Sequence, residues 1–250
     1  MAERSLVIHP PATLVTAGEL TAKGDLVSIV REAVHRYIRD ERLLIGDPLP
    51  SERVFAESCG VSRVVVREAF RSLSATGVID VGTGRRARVA GIDSAMLATV
   101  IDHAVHVEQM SIQQIYDVRR TLEARTAALA AVRATAAEAG AIARHAAGMR
   151  ADFADTAAVM EHDIAFHAAI AAASRNPAFV LIVGAFETVM RGTWPIGWKT
   201  RRSDEQRLAS VETHEAIARA IADGEPTLAE REMQLHFDHS VGALFEAGVL

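Results

Sequence analysis

The fold is decided by residues 46–69, which read GDPLPSERVFAESCGVSRVVVREA. Ser51 is placed to cap a short helix, and Gly60 is placed to end that helix in the left-handed conformation. Ser62 can then cap a second helix, so that only a three-residue turn joins the two. Two short helices at this spacing are typical of a helix-turn-helix.

Regular hydrophobic patterns flank this stretch on both sides. Apolar residues recur at helical spacing from Leu26, which predicts an amphipathic helix that ends near Leu44. Two short β-type runs, 78–81 and 87–90, surround Gly82-Thr83-Gly84 and predict a hairpin. Three helices followed by a hairpin predict a winged helix-turn-helix.

The rest of the chain has a different pattern. After Gly91 no strand pattern is found, and alanine-rich segments with helical spacing follow one another. We therefore predict an N-terminal arm over 1–24, a winged helix-turn-helix over 25–91 and an all-α bundle over 92–250. The predicted bundle helices cover 94–107, 111–134, 136–149, 152–173, 177–191, 205–223 and 225–247. We predict that the helices are interrupted at Gly148 and in the Gly- and Pro-containing stretch from 192, which holds Trp194 and Trp198.

Composition excludes several classes of protein. Half of the 250 residues are hydrophobic, 24% are charged and the net charge is −5, as in an ordinary globular protein. The single cysteine, Cys59, cannot form a disulfide framework, and no apolar run approaches the ~20 residues that cross a bilayer. We expect a cytoplasmic protein that has no membrane partner.

Charge is unevenly distributed along the chain. Residues 1–91 carry a net charge of +2 and residues 92–250 carry −7. Within 53–88, seven arginines accompany only three acidic residues, and the whole chain has only two lysines. Because the arginine fork suits phosphates and guanine edges, this cluster indicates a DNA-binding surface. A solvated basic face without a partner is the alternative.

Four acidic and imidazole side chains form a possible metal site. Asp163 and His167 are one turn apart on a predicted helix and share a face, and His214 and His236 lie on two further helices. Three imidazoles and one carboxylate suit a divalent transition metal such as Zn, Ni, Mn or Fe. Hydrogen-bonded core histidines are the alternative explanation of this spacing.

The N-terminal motifs resemble the signature of GntR-family transcription regulators. They are GDPLPSER at 46–53, GVSR at 60–63 and VREA at 66–69. The resemblance implies operator contacts from arginines on the helix-turn-helix and a glycine at the wing tip, here Arg53, Arg63, Arg67 and Gly84.

Two further features of this region bear on DNA binding. Ser62 can reach a phosphate as well as cap its helix. The wing departs from the commonest family pattern, because it reads GRRARV at 84–89 without a second glycine or an aromatic residue. Arg85 and Arg86 would add attraction to phosphates there.

The C-terminal segment resembles the FCD ligand-binding domain of the FadR subfamily. The resemblance lies in DIAFH at 163–167, ASRNP at 173–177 and VRRTLE at 118–123, and in the surroundings of His214 and His236. It implies that Asp163, His167, His214 and His236 hold a metal beside a small organic acid. It also implies that Arg119 binds that acid, although a pair with Glu123 is an alternative role for Arg119.

These observations favour a homodimeric, ligand-responsive repressor that binds a palindromic double-stranded DNA operator, and not an enzyme. A metal-dependent hydrolase fused to a DNA-binding domain is one alternative, against which the chain contains no HExxH motif. A regulator with a purely structural metal is another.

Overall fold

The computed structural model describes residues 23–82 and 85–248, and the side chains from Leu26 onward. Residues 1–22 of the predicted arm, and Gly84 of the predicted wing tip, lie outside the described residues. The chain divides into two compact units, the first ending at Asp93 and the second beginning at Ser94.

The first unit contains three helices and a hairpin, in the predicted order. Its elements are α1 (Lys23–Asp40), α2 (Glu52–Cys59), α3 (Arg63–Ala75), β1 (Ile79–Asp80) and β2 (Arg88–Val89). Helix α1 ends before the predicted limit near Leu44, although Leu43 beyond it is still buried. The hydrophobic core of this unit joins α1, α2, α3 and both strands.

The caps of the helix-turn-helix form as the sequence predicts. The Ser51 side chain accepts a hydrogen bond of 3.4 Å from the Val54 backbone N–H, and Ser62 accepts one of 3.4 Å from that of Val65. Gly60 ends α2 with a φ of 64°, the left-handed region that favours glycine. Local chemistry therefore fixes where the turn lies.

The wing is a short antiparallel hairpin in which Ile79 pairs with Val89 and Asp80 with Arg88. Its described strands are two residues each, shorter than the predicted runs. An isolated bridge between Pro48 and Arg88 ties the segment before α2 to the wing. This bridge holds the base of the wing against the helix-turn-helix.

The second unit is built from helices in the part of the chain that the structure describes. They are α4 (Ser94–His106), α5 (Ile112–Arg133), α6 (Ala136–Ala151), α7 (Thr156–Ala173), α8 (Pro177–Ala185), α9 (Glu187–Thr200), α10 (Asp204–Ala222) and α11 (Pro226–Glu246). Helix α5 packs against α7 and α11, and α10 packs against α6 and α11. Together with the wing, this architecture confirms the predicted fold class, a winged helix-turn-helix and an all-helical bundle.

The prediction of one helix over 177–191 followed by a loop was wrong. The helix breaks at Phe186, and α9 then continues to Thr200 through Pro195. Trp194 and Trp198 lie four residues apart on α9 and stack at 5.0 Å between ring centroids. The burial of Trp198 and its stacking on the partly buried Trp194 outweigh the low helix propensity of the glycines and the proline nearby.

Gly148 was also wrongly predicted to interrupt a helix, because α6 continues past it to Ala151. A Cβ at Gly148 would overlap the imidazole ring of His162 on α7. The glycine therefore lets two helices approach closely and does not end one.

Among the described residues, no single helix is both long enough and apolar enough to span a membrane; α8 and α9 pass such a test only when taken together, across a bend of 54°.

Candidate metal centre and DNA-binding surface

Three helices of the second unit bring the predicted metal ligands to one point. Asp163 and His167 lie on α7, His214 on α10 and His236 on α11, and all four side chains are buried. One ligand atom from each residue lies within 4.8 Å of the others. We call these four residues the Asp/His cluster.

Hydrogen bonding fixes which nitrogen His214 presents to the cluster. Its Nδ1 lies 2.8 Å from the Ser210 carbonyl oxygen, which can only accept, so Nδ1 carries the proton. A neutral His214 therefore has a lone pair on Nε2, which lies 2.8 Å from Asp163 Oδ1. Two acceptors at this distance repel each other unless a proton or a metal cation compensates.

His167 contacts a carboxylate closely, although this contact lacks the hydrogen-bond geometry that orients His214. Its Nδ1 lies 2.5 Å from Glu123 Oε2, which leaves Nε2 to face the cluster. Glu123 also accepts a 2.7 Å hydrogen bond from Arg119 Nε one turn earlier on α5. Arg119, Glu123 and His167 thus form a buried chain of contacts that ends at the cluster, and a carboxylate behind a histidine is typical of metal sites.

Aromatic rings surround the cluster and keep it away from solvent. Phe166 meets the His214 ring edge-on at 5.1 Å, and Phe237 meets the His236 ring at 5.1 Å. Burial alone would raise the pKa of Asp163, but the close contact with His214 and the neighbouring histidines outweigh burial and lower it. Burial, together with the other two imidazoles, lowers the pKa of His236, so its neutral form is favoured.

Two atoms of the cluster fit a metal ion particularly well. Asp163 Oδ2 and His167 Nε2 are buried and have no hydrogen-bond partner among the described residues. Buried polar atoms are rarely left without a partner, because losing hydration costs ~1–3 kcal/mol. One carboxylate oxygen and neutral imidazole nitrogens are a donor set that divalent transition metals accept.

Arg119 lies beside the cluster, and its guanidinium is already engaged by protein groups. It is held between the rings of Tyr116 and Phe237, at 5.5 and 4.9 Å from the ring centroids, and it contacts the Met190 sulfur. The pair with Glu123 that the sequence left as an alternative is therefore present. A role in effector binding stays a prediction.

A small cavity of about 40 Å³ opens beside the cluster, and we call it the inner cavity. Asp163, His214 and His236 form part of its wall, together with Arg119 and Arg201. Arg201 and the contact of Glu123 with His167 were not predicted from the sequence. The i, i+4 spacing of Arg119 and Glu123 indicates their own ion pair, but not the contact with His167.

The predicted DNA-binding arginines are all exposed. Arg63 and Arg67 lie on α3, and Arg67 makes an ion pair of 3.3 Å with Glu52 at the start of α2. Arg53 pairs with Glu57 on α2 at 2.9 Å. Such exposed pairs contribute little to stability, so the arginines can exchange their partners for phosphates.

The wing adds basic residues to this surface, and α3 adds an exposed apolar residue, Val64, that was not predicted from the sequence. Arg85 and Arg86 are exposed, and Arg85 pairs with Asp80 at 2.6 Å. Val64 on α3 is 65% exposed, off the buried stripe of that helix. An exposed apolar side chain between basic residues suits a thymine methyl group in the major groove.

A winged helix-turn-helix and a helical bundle with a buried Asp/His cluster define a DNA-binding regulator with a separate sensor domain. Comparisons with known proteins agree. Residues 26–89 match "Bacterial regulatory proteins, gntR family", and residues 114–239 match "FCD domain". The chain belongs to the GntR family of DNA-binding transcription regulators and carries an FCD effector-binding domain; the family is one of regulators, not of enzymes.

Relatives with assigned roles cover most of the chain. The Glc operon transcriptional activator of Escherichia coli (strain K12) is 30% identical over 217 residues, 84% of this chain and 85% of the relative. The HTH-type transcriptional regulator LutR of Bacillus subtilis (strain 168) is 31% identical over 203 residues, 80% of this chain and 92% of LutR. The HTH-type transcriptional repressor NanR of Cronobacter sakazakii (strain ATCC BAA-894) is 29% identical over 241 residues, 90% of this chain and 87% of NanR.

Among solved structures, Streptococcus agalactiae GntR superposes with a TM-score of 0.62 at 21% identity, covering 85% of this chain and 97% of that one. This likeness supports the fold alone.

Proposed function

We propose that the chain is a homodimeric repressor whose FCD domain binds one divalent transition metal, Zn, Ni, Mn or Fe, together with a small carboxylic acid. The acid changes the affinity of the winged helices for a palindromic operator. The observation that carries this proposal is the buried Asp/His cluster, whose Asp163 Oδ2 and His167 Nε2 have no other partner among the described residues. Its partner is DNA, so we place its action in the cytoplasm.

Each DNA-binding residue has a proposed role. Arg63 and Arg67 bind base edges from α3, while Arg53 and Ser62 bind phosphates and set the orientation of the motif. In the wing, the position of Gly84 would let the chain approach the minor groove, and Arg85 and Arg86 would add attraction that does not depend on sequence.

In the sensor domain, the four side chains of the Asp/His cluster would hold the metal. When bound, the ion would supply positive charge and open coordination positions for a carboxylate oxygen. Glu123 lies against the ring of His167, and the Ser210 carbonyl fixes the ring of His214 by a hydrogen bond. Arg119, although paired with Glu123, keeps donors that line the inner cavity, and we propose that it contributes to binding the acid.

Relatives bear on the sign of regulation. The NanR proteins are named repressors and align with 90% of the chain, whereas the Glc operon regulator is named an activator and aligns with 84%. We propose repression, the role that the NanR names state. A reporter gene placed behind the operator distinguishes repression from activation. Deleting the regulator raises expression of the reporter if the regulator is a repressor, and lowers it if the regulator is an activator.

Arg67→Ala is expected to weaken operator binding by ~1–3 kcal/mol, about 5–150-fold, because Arg67 is exposed on α3 where it can reach base edges. The measurement is a fluorescence anisotropy titration at fixed salt with a sequence that the wild type has selected from a random DNA pool. Arg39→Ala, which removes the same charge from α1, should change affinity less than about two-fold. Equal affinities for the Arg67→Ala variant and wild type would remove Arg67 from the base-reading set.

Binding of the acid is expected to change operator affinity about 5–150-fold, the usual range of allosteric coupling. A thermal-shift screen of small mono- and dicarboxylates against the metal-loaded protein identifies binders, and operator titrations with and without each binder give the coupling. Chelation of the metal should abolish both effects. If an acid still binds after the metal has been removed, the metal is purely structural. If an acid binds but leaves the operator affinity unchanged, the proposed sensor role is contradicted.

A further inference from the structure

A second cavity touches the Asp/His cluster from the side of α7 and α8. It measures about 40 Å³, and we call it the rear cavity. Its wall contains Asp163 and His167 of the cluster. The wall of the inner cavity contains Asp163, His214 and His236 instead. The four side chains of the cluster are therefore divided between two cavities, and only Asp163 lines both.

The rear cavity leads from the surface of the bundle to the cluster. Ala168 and Glu187 in its wall are exposed, whereas Asp163 and His167 are buried. The two cluster atoms that have no hydrogen-bond partner among the described residues are Asp163 Oδ2 and His167 Nε2. A cation that entered from this side would meet the two residues that carry these atoms.

Glu187 lies at the mouth of the rear cavity, where the chain bends. Helix α8 ends at Ala185 and α9 begins at Glu187 with a bend of 54°, and both helices pack against α7. The Glu187 carboxylate makes an exposed ion pair of 2.9 Å with Arg191, which also contacts Glu161 on α7 at 3.0 Å. Because exposed pairs contribute only ~0–1 kcal/mol and Arg191 has this second partner, Glu187 can exchange Arg191 for another cation.

The two cavities differ in the sign of the charge around them. Arg119 and Arg201 line the inner cavity, where Asp163 is the one carboxylate in the wall. Asp163 and Glu187 line the rear cavity together with Arg119, whose charge is balanced by Glu123 at 2.7 Å. A cleft walled by one sign of charge concentrates ions of the opposite sign. The rear cavity therefore favours cations, and the inner cavity favours anions.

The size of the rear cavity makes a carboxylate at its mouth important. A volume of about 40 Å³ holds about three water molecules, fewer than surround a divalent ion in solution. An ion must therefore exchange water for protein ligands before it reaches the cluster. Carboxylate oxygens are ligands that divalent metals accept, and Glu187 offers them at the exposed end of the cavity.

We propose that divalent metal ions enter and leave the Asp/His cluster through the rear cavity, and that Glu187 is the carboxylate that first binds the ion at its mouth. This inference rests on the proposed function, because it concerns how the proposed metal site is loaded. Glu187 does not belong to the Asp/His cluster, so it sets the rates of metal exchange and not the equilibrium affinity.

The test is Zn exchange by the full-length protein at fixed pH and salt. Zn release is followed with a chromophoric chelator at concentrations where the rate no longer depends on the chelator, and competition with the same chelator gives Kd. The rate of uptake is the ratio of the two. Glu187→Gln should slow release and uptake by the same factor, about ten-fold or more, with Kd within about two-fold of wild type. Glu215→Gln removes a carboxylate next to His214 that pairs with Arg150 and lines neither cavity, so its rates should stay within about two-fold of wild type.

Two enlarged side chains locate the route without a change of charge. Ala168→Leu narrows the mouth of the rear cavity and should slow release and uptake, whereas Ser240→Leu narrows the inner cavity and should leave both rates unchanged. The opposite result would place the route in the inner cavity and overturn the inference.

The outcomes for Glu187→Gln also separate the inference from the proposed function. Wild-type rates would overturn the role of Glu187, and a weaker Kd at an unchanged rate of uptake would make Glu187 part of the bound site instead of the route. If the wild type binds no Zn, the proposed metal site and its route are both overturned, whereas Zn binding with unaltered rates in Glu187→Gln and Ala168→Leu overturns the route alone.

Discussion

His214→Ala is expected to lose nearly all metal, measured as the metal-to-protein ratio by elemental mass spectrometry after purification at neutral pH. Loss of an outer partner of a metal ligand commonly costs ~10–100-fold in affinity, and loss of a ligand itself should cost more. The substitution removes one imidazole and also the contact of 2.8 Å that orients Asp163. Wild type should hold close to one divalent ion per chain.

Two further variants make this result specific. Asp163→Asn removes the charge and supplies an amide N–H that can donate to Nε2 of a neutral His214, so it should fold normally and still lose most of the metal. His162→Ala is the matched control, because His162 is next to Asp163 on α7 but contacts Asp152 at 3.0 Å. Full metal content in both His214→Ala and Asp163→Asn would show that the cluster is a hydrogen-bonded core.

Local chemistry explains how much of the fold the sequence could predict. The caps at Ser51 and Ser62 and the left-handed Gly60 act within a few residues, so their signals can be read along the chain. Gly148 and Pro195 carried equally clear local signals and were misread. At those positions contacts from other helices decide the structure, namely the His162 ring and the buried Trp198.

In the candidate site, too, local features could be predicted from the sequence, whereas contacts between helices could not. The spacing of Asp163 and His167 placed both on one face of α7, but their convergence with His214 and His236 rests on how three helices pack. Resemblance to a known domain supplied that part of the prediction. The contact between Glu123 and His167 joins α5 to α7, and the position of Arg201 in the wall of the inner cavity depends on α9, α10 and α11. No period or motif in the sequence encodes such relations.

Glu123→Ala is expected to lower the free energy of unfolding by ~3–5 kcal/mol, because it leaves a buried arginine without its counter-charge. The side chains of Arg119 and Glu123 are 3% and 1% exposed, and Glu123 is also the partner of His167 Nδ1. The measurement is urea denaturation of the metal-free protein, followed by circular dichroism. Glu187→Ala, which breaks an exposed i, i+4 pair with Arg191 in the same unit, should cost no more than ~1 kcal/mol.

A double substitution separates the contribution of this pair to stability from its contribution to the site. Arg119→Met with Glu123→Leu replaces the two charges by apolar side chains of similar size, and buried pairs replaced in this way often lose no stability. We expect the double variant to unfold near the wild-type urea concentration, while its metal affinity falls ~10–100-fold because His167 has lost its carboxylate. Stability and metal affinity falling together in the double variant would instead mean that the pair is part of the packing of α5 against α7. If the double variant binds metal with the affinity of the wild type, Glu123 does not position His167.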